Sequence, residues 1–133
     1  MFHRVLKIGR WVVDFLFAYR TYDIDGVLSC LYDAYAPKEI MEQAHDLIID
    51  RELNRGFTYT NPYIRRAVVF IGPTSSGAEF QNTLVHELRH LADGIAQSLG
   101  IELEGEPVAY LSGDTAMELA DIVCKLGCDE CRK

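Results

Sequence analysis

Residues 86–90 form the sequence HELRH, a spacing of two histidines and one glutamate that suits a metal site. Four residues on a helix turn through about 400°, so His86 and His90 lie on one face, one turn apart. Two neutral imidazoles at that separation can bind one zinc ion, and Glu87 is left free to act as a base on a zinc-activated water. The chain has four histidines, and two of them are in this motif. The motif therefore predicts zinc binding and hydrolytic chemistry.

A hydrolytic zinc site normally has three protein ligands and one position for water, so a third ligand must come from elsewhere in the chain. A histidine six residues after His90 is excluded, because that position is Ala96. Of the carboxylates that follow, we favour Glu106, because residues 100–105 are a short connection and the next helix must fold back across the motif helix. The carboxylate candidates are Glu102, Glu104, Glu106, Asp114, Glu118 and Asp121.

Two more side chains have a helical spacing that would let them assist such a site. Tyr110 lies four residues after Glu106 and so on the same face, where its hydroxyl could donate to a developing oxyanion. Asp93 lies three residues after His90 and could orient a ligand imidazole. The simpler alternatives are a packing role for the tyrosine and plain solvent exposure for the aspartate.

From about Phe80 to Leu119 the chain resembles the small zincin-type metallopeptidases that use a glutamate as third ligand, the gluzincins. The resemblance rests on HELRH followed by EPVAY at residues 106–110, which is similar to the E-x-x-A-Y helix of that family. It implies His86, His90 and Glu106 as zinc ligands and Glu87 as the catalytic base. Compact relatives of this kind are often encoded by bacterial phages and mobile elements.

The expected function is therefore zinc-dependent hydrolysis of a peptide bond in a peptide or protein substrate. One alternative is a catalytically inactive zincin-derived module that binds zinc or a partner protein, because the short chain has no obvious second lobe to form a cleft. The other is a protein that binds no metal, in which HELRH belongs to the surface of an ordinary amphipathic helix. The oligomeric state is left open by the sequence.

Charge and composition limit the class of partner. Residues 1–78 hold nine acidic and nine basic side chains, and residues 79–133 hold eleven acidic and four basic ones, so the whole net charge of −7 lies in the half with the motif. An acidic half repels phosphate backbones, which argues against a nucleic-acid partner. The apolar run near the N-terminus is interrupted by Asp14 and lacks a cleavage site, and no segment is long enough to cross a membrane. We expect a cytoplasmic protein.

Three of the four cysteines, Cys124, Cys128 and Cys131, lie within the last ten residues. This spacing can hold an iron–sulfur cluster or contribute to a zinc site, with Cys30 as the fourth ligand. We favour reduced, exposed thiols on a fraying helix end, because a terminal position leaves little protein to shield a cluster.

Hydrophobic periodicity predicts one α+β domain over residues 1–133, a minimal zincin-like fold in which a small antiparallel or mixed sheet packs on helices. HELRH lies on a central helix, followed by the ligand-bearing helix. The motif helix has a buried stripe at steps of three and four: Phe80, Leu84, Leu88, Leu91, Ile95 and Leu99. The predicted elements are strands over residues 11–18, 57–60 and 66–71, and helices from Asp23 or Asp25 to Tyr35, from Pro37 to before Gly56, over 78–99, and from 106 or 107 to 123.

Overall fold

The structure is a computed structural model that describes residues 1–100 and 105–133. Its four strands form one mixed sheet, and its six α-helices surround that sheet, which confirms the α+β class. None of the helices in these two ranges is both long and apolar enough to cross a membrane. In chain order the elements are β1 Phe2–Ile8, β2 Trp11–Phe17, a 3-10 turn Thr21–Asp23, α1 Ile24–Asp33, α2 Lys38–Asp50, β3 Gly56–Asn61, β4 Arg66–Ile71, α3 Gly77–Leu99, α4 Glu106–Glu118, α5 Ala120–Leu126 and α6 Asp129–Arg132.

The strand order in the sheet is β1-β2-β4-β3. The two central strands, β2 and β4, run parallel, with Val13 opposite Ala67 and Phe17 opposite Ile71. The outer strands β1 and β3 pair antiparallel with their central neighbours. The central strands are almost entirely buried, because their β-branched and aromatic residues pack on both faces of the sheet.

Alternate residues of β2 enter two different cores. Phe15 and Phe17 face α3 and pack with Phe80 and Leu84. Leu16 faces the other side of the sheet, in the core built with α1 and α2. Helix α3 therefore covers one face of the sheet, and α1 and α2 cover the other.

Helix α3, which carries HELRH, has well-defined ends. Ser76 is its N-cap, and the Ser76 hydroxyl accepts a hydrogen bond from the Glu79 amide. Gly100 ends the helix with a φ of 70°, the left-handed conformation that favours glycine. The predicted stripe is buried from Phe80 to Ile95, whereas Leu99 is 60% exposed, because it lies in the last turn beyond the edge of the core.

Three features of the predicted fold are wrong. The N-terminal region is a hairpin of two strands, with Gly9 at a φ of 60° in the turn, where we predicted one strand. The last predicted helix is two helices, α4 and α5, which meet at the fully buried Leu119. The C-terminus, which we expected to fray, is bonded to the start of α3: the Asp129 carboxylate accepts a hydrogen bond from the Gly77 amide at 2.7 Å, and Arg132 donates to the Thr74 hydroxyl at 2.9 Å.

Candidate functional site

HELRH lies at an open cleft between α3 and the edge strand β3. The cleft has a volume of about 530 Å³. Its wall on the α3 side is formed by His86, Glu87, His90, Asp93, Gly94 and Gln97, and its wall on the β3 side by Gly56, Phe57, Thr58 and Thr60. The predicted base and two of the three predicted zinc ligands therefore lie in one cleft.

The two histidines of the motif are neighbours on the exposed face of α3. Their ring centroids are 4.6 Å apart, with an angle of 85° between the ring planes. Nδ1 of His86 lies 2.9 Å from a carboxylate oxygen of Glu87. When Nδ1 carries the ring proton it donates to that oxygen, which leaves the Nε2 lone pair of His86 free for a metal ion.

Glu87 is the buried acid of the cleft, with only 4% of its surface exposed. It lies one residue, about 100°, round the helix from His86, and this rotation directs it toward β3 and away from solvent. Its Oε1 accepts a hydrogen bond from the Thr58 hydroxyl at 2.8 Å, and its Oε2 is the oxygen beside His86. Each carboxylate oxygen has two lone pairs, so both oxygens retain the capacity to accept another hydrogen bond.

Two glycines allow α3 to lie close to β3. A Cβ atom on Gly56 would come within 2.7 Å of the Glu87 Cγ, and one on Gly94 would come within 2.7 Å of the Thr60 side chain. Both separations are shorter than real Cβ contacts, so a larger residue at either position would push the helix and strand apart. The glycines thus set the distance at which Thr58 reaches the Glu87 carboxylate.

Asp93 lines the same cleft, but its partner is a residue of its own helix. The Nε of Arg89 lies 2.8 Å from Oδ1 of Asp93, an ion pair between residues four apart. The suggestion that Asp93 orients the imidazole of His90 is not supported by this contact.

The structure does not bring Glu106 or Tyr110 into the cleft. Glu106 is exposed at the first position of α4, and Tyr110 is 66% exposed one turn later. Helix α4 packs on α3 through Val108, which lies against Ala92 and Ala96 on the side away from β3. Glu106 as third ligand and Tyr110 as oxyanion donor therefore stay predictions. The alternative ligands Glu102 and Glu104 lie outside the described residues.

One group of possible metal ligands was missed at the level of sequence. Within the described ranges, one group of three possible ligands has its ligand atoms within 4.8 Å of one another. The group is His3, Asp14 and Cys30. His3 is an exposed residue, and its Nε2 lies 2.8 Å from Oδ1 of the buried Asp14. The signal in the sequence was Asp14, the one charged residue in an otherwise apolar strand.

Comparison with protein-family models, with curated proteins and with solved structures finds no significant match to this chain.

Proposed function

We propose that this protein is a zinc-dependent metallopeptidase of the zincin type, which hydrolyses a peptide bond with Glu87 as general base. In this proposal His86, His90 and Glu106 hold the zinc ion, and the substrate is a peptide or protein. The four free cysteines and the acidic surface favour a cytoplasmic protein whose partner is not a nucleic acid.

The observation that carries the proposal is the placement of Glu87. A carboxylate with 4% exposure is uncommon, and here it lies in the wall of an open cleft beside two accessible imidazoles. Its partners are the Thr58 hydroxyl and His86, and among the described residues no arginine or lysine lines the cleft, so no permanently charged cation accounts for the burial of this carboxylate. A buried acid with fixed orientation and spare lone pairs is what a general base requires.

The two histidines of the cleft are ligands that suit zinc. Two imidazoles with free ring nitrogens face the opening, and nitrogen with carboxylate oxygen is a common zinc ligand set. Bound zinc supplies Lewis-acid polarisation of the substrate carbonyl and makes water more acidic. Glu87 is placed to accept a proton at its carboxylate and to pass it to the leaving amine, while Thr58 and His86 hold that carboxylate in position.

The third ligand has to come from outside α3. Asp93 is in the cleft, but it is seven residues from His86, about 10.5 Å along a straight helix. Its Oδ1 also pairs with the Nε of Arg89 at 2.8 Å, so Asp93 is not our choice of ligand. Our choice is Glu106, at the start of α4, the helix that packs on α3 through Val108.

The β3 wall of the cleft suits an extended peptide. Strand β3 ends the sheet on this side, so within the described ranges its outer edge pairs with no other strand. Backbone amides and carbonyls along such an edge can bind a peptide strand whatever its sequence. A peptide bound along residues 57–60 would pass beside Glu87 and both histidines.

The metal is tested by mass spectrometry of zinc content in protein prepared without chelators. We expect the zinc held by the cleft to be lost in the double variant His86→Ala/His90→Ala and kept in His45→Ala, which removes an exposed histidine of α2. Glu106→Ala should weaken zinc affinity about 10- to 100-fold. Unchanged affinity in this variant would move the third ligand to Glu102, Asp114 or Glu118.

Catalysis is tested by cleavage of a quenched fluorescent peptide library. Glu87→Gln keeps the shape of the side chain and should keep the zinc, while turnover falls at least about 100-fold. Glu79→Gln, an exposed glutamate in the first turn of α3, is the matched control and should keep full activity. Equal activity in Glu87→Gln and the unmodified protein would rule out Glu87 as the base.

The second candidate is a zinc-binding module without turnover. The exposure of Glu106 and Tyr110 outside the cleft favours it, because neither residue is in place to complete a catalytic site. It predicts zinc binding with no cleavage of any library member, and no difference in peptide affinity between Glu87→Gln and the unmodified protein.

A further inference from the structure

We propose that His3, Asp14 and Cys30 form a second zinc site, separate from the cleft at α3. The three residues come from three elements, β1, β2 and α1, and they bring a nitrogen, an oxygen and a sulfur ligand together. Nitrogen, carboxylate oxygen and thiolate sulfur are the three ligand types that zinc takes in proteins.

The site lies on the opposite side of the sheet from HELRH. Asp14 alternates with Val13 and Phe15, which face α3, and so points to the side covered by α1 and α2. His3 is two residues from Val5, the strand partner of Asp14, and therefore faces the same side. Metal at this site and metal in the cleft can be measured independently.

The distances need only a small adjustment to accept an ion. Zinc bonds of about 2.0–2.3 Å in a tetrahedral arrangement place ligand atoms about 3.3–3.6 Å apart. The three ligand atoms lie within 4.8 Å of one another, and the Nε2 of His3 is 2.8 Å from Oδ1 of Asp14. The His3–Asp14 contact must open by about 0.5 Å, and the Cys30 sulfur must move in by about 1.2 Å at most. The His3 side chain is 42% exposed, so an ion can enter from solvent.

The hydrogen bonds around Asp14 involve His3 and Arg66 and do not include Cys30. The Nη2 of Arg66 lies 3.4 Å from Oδ2 of Asp14, and this pairing together with His3 satisfies the buried carboxylate without the thiol. The Cys30 thiol is therefore not needed to stabilise the Asp14 carboxylate. Its sulfur is available as a third metal ligand beside His3 and Asp14. Carboxylate and thiolate would supply two negative charges to a dication, and Arg66, which adds one positive charge, pairs with Oδ2 and leaves Oδ1 to the metal.

The Cys30 thiol must lose its proton when it binds zinc. Burial, together with the nearby Asp14 and Asp33 carboxylates, raises the pKa of the Cys30 thiol to about 11. The thiol is thus protonated in the metal-free protein at neutral pH, and zinc must displace its proton on binding. The same property makes metal-free Cys30 a poor nucleophile, which argues against a cysteine–histidine hydrolase at this position.

The first experiment uses the His86→Ala/His90→Ala variant, so that zinc in the cleft does not contribute. We expect about one zinc per chain after dialysis against zinc, and a thiolate-to-cobalt charge-transfer band when Co²⁺ replaces it. Adding Cys30→Ser should weaken metal affinity about 10- to 100-fold and remove the band. The control Cys124→Ser/Cys128→Ser/Cys131→Ser should keep both. Loss of metal in the control but not in Cys30→Ser would overturn the proposal and assign the metal to the C-terminal thiols.

The second experiment uses the unmodified chain and does not depend on the folding of any variant. The rate of Cys30 alkylation by iodoacetamide is followed by peptide mass spectrometry with and without zinc. At a free zinc concentration ten times the dissociation constant, the metal-free fraction and hence the rate should fall about tenfold. A Cys30 rate that zinc does not change would refute the site, whatever the outcome for HELRH.

Discussion

The hydrogen bond from Thr58 to Glu87 predicts a specific loss of stability in the variant Thr58→Val. Valine keeps the shape of threonine and replaces the hydroxyl, which lies 2.8 Å from Oε1 of Glu87, by a methyl group. Oε1 would then face an apolar group in a site where the residue is only 4% exposed. A hydrogen bond to a charged partner contributes about 1.5–3 kcal/mol, so we expect a loss of about 2 kcal/mol in the free energy of unfolding.

That loss corresponds to a measurable change in melting temperature. At about 2.1 cal/mol/K per residue, the 133-residue chain has an unfolding entropy of about 0.28 kcal/mol/K, so Tm should fall by about 7 °C. Thr60→Val is the matched control, since Thr60 lies on the same strand and packs on Gly94 without bonding Glu87. Its Tm should change by less than about 2 °C. Circular dichroism melts of both variants check this, and equal Tm values would refute the assigned role of Thr58.

Three further predictions concern packing, pH and the C-terminus. Gly94→Ala should destabilise the protein by about 1–3 kcal/mol, because the new methyl group meets the Thr60 side chain. Gly113→Ala should stabilise it by about 0.5–1 kcal/mol, because the space around this position of α4 is open. Urea unfolding compares the two variants. Burial raises the pKa of Tyr19 from 10 to about 12, so this tyrosine ionises at lower pH in the unfolded state than in the folded state. The free energy of unfolding should therefore fall as pH rises from 10 toward 12, by about 1.4 kcal/mol at pH 11. Tyr19→Phe should remove that part of the fall between pH 9 and 11. Arg132→Ala removes bonds to Thr74 and to the Leu126 carbonyl, so amide hydrogen exchange in the first turn of α3 should become about tenfold faster, while exchange in α2 is unchanged.

Much of the fold is predictable because the residues that begin and end its long helices and strands can be recognised in the sequence. Helix α3 has an N-cap serine, a helical stripe of apolar residues and a terminal Gly100, and the predicted and observed ranges differ by one residue. Strand β4 ends in four consecutive β-branched or aromatic residues, and its predicted bounds are the observed ones. These signals are local, so they need no knowledge of the rest of the chain.

The features that were mispredicted depend on tertiary contacts. Strand β1 alternates exposed and half-buried residues and becomes a strand by pairing with β2. No proline or glycine marks the break at Leu119, which coincides with the entry of that residue into the core. In the same way, the spacing of HELRH predicts the neighbouring histidines, but Thr58, the partner of Glu87, is 29 residues away in sequence. The link between His3, Asp14 and Cys30 also requires the sheet and α1 to be assembled.

The parallel pairing of β2 with β4 has a consequence for how fast this protein folds. The sheet consists of two antiparallel pairs, β1 with β2 and β3 with β4, each made from neighbouring segments. The contact that joins them pairs each residue of β2 with one 54 positions later, as in Val12 with Arg66. Closing a chain of that length costs about 3.5 kcal/mol in entropy before any contact across β2 and β4 forms. We therefore expect both hairpins to form early and the joining of β2 to β4 to limit the folding rate. Core truncations along this pair and changes in the two hairpin turns should then both slow folding.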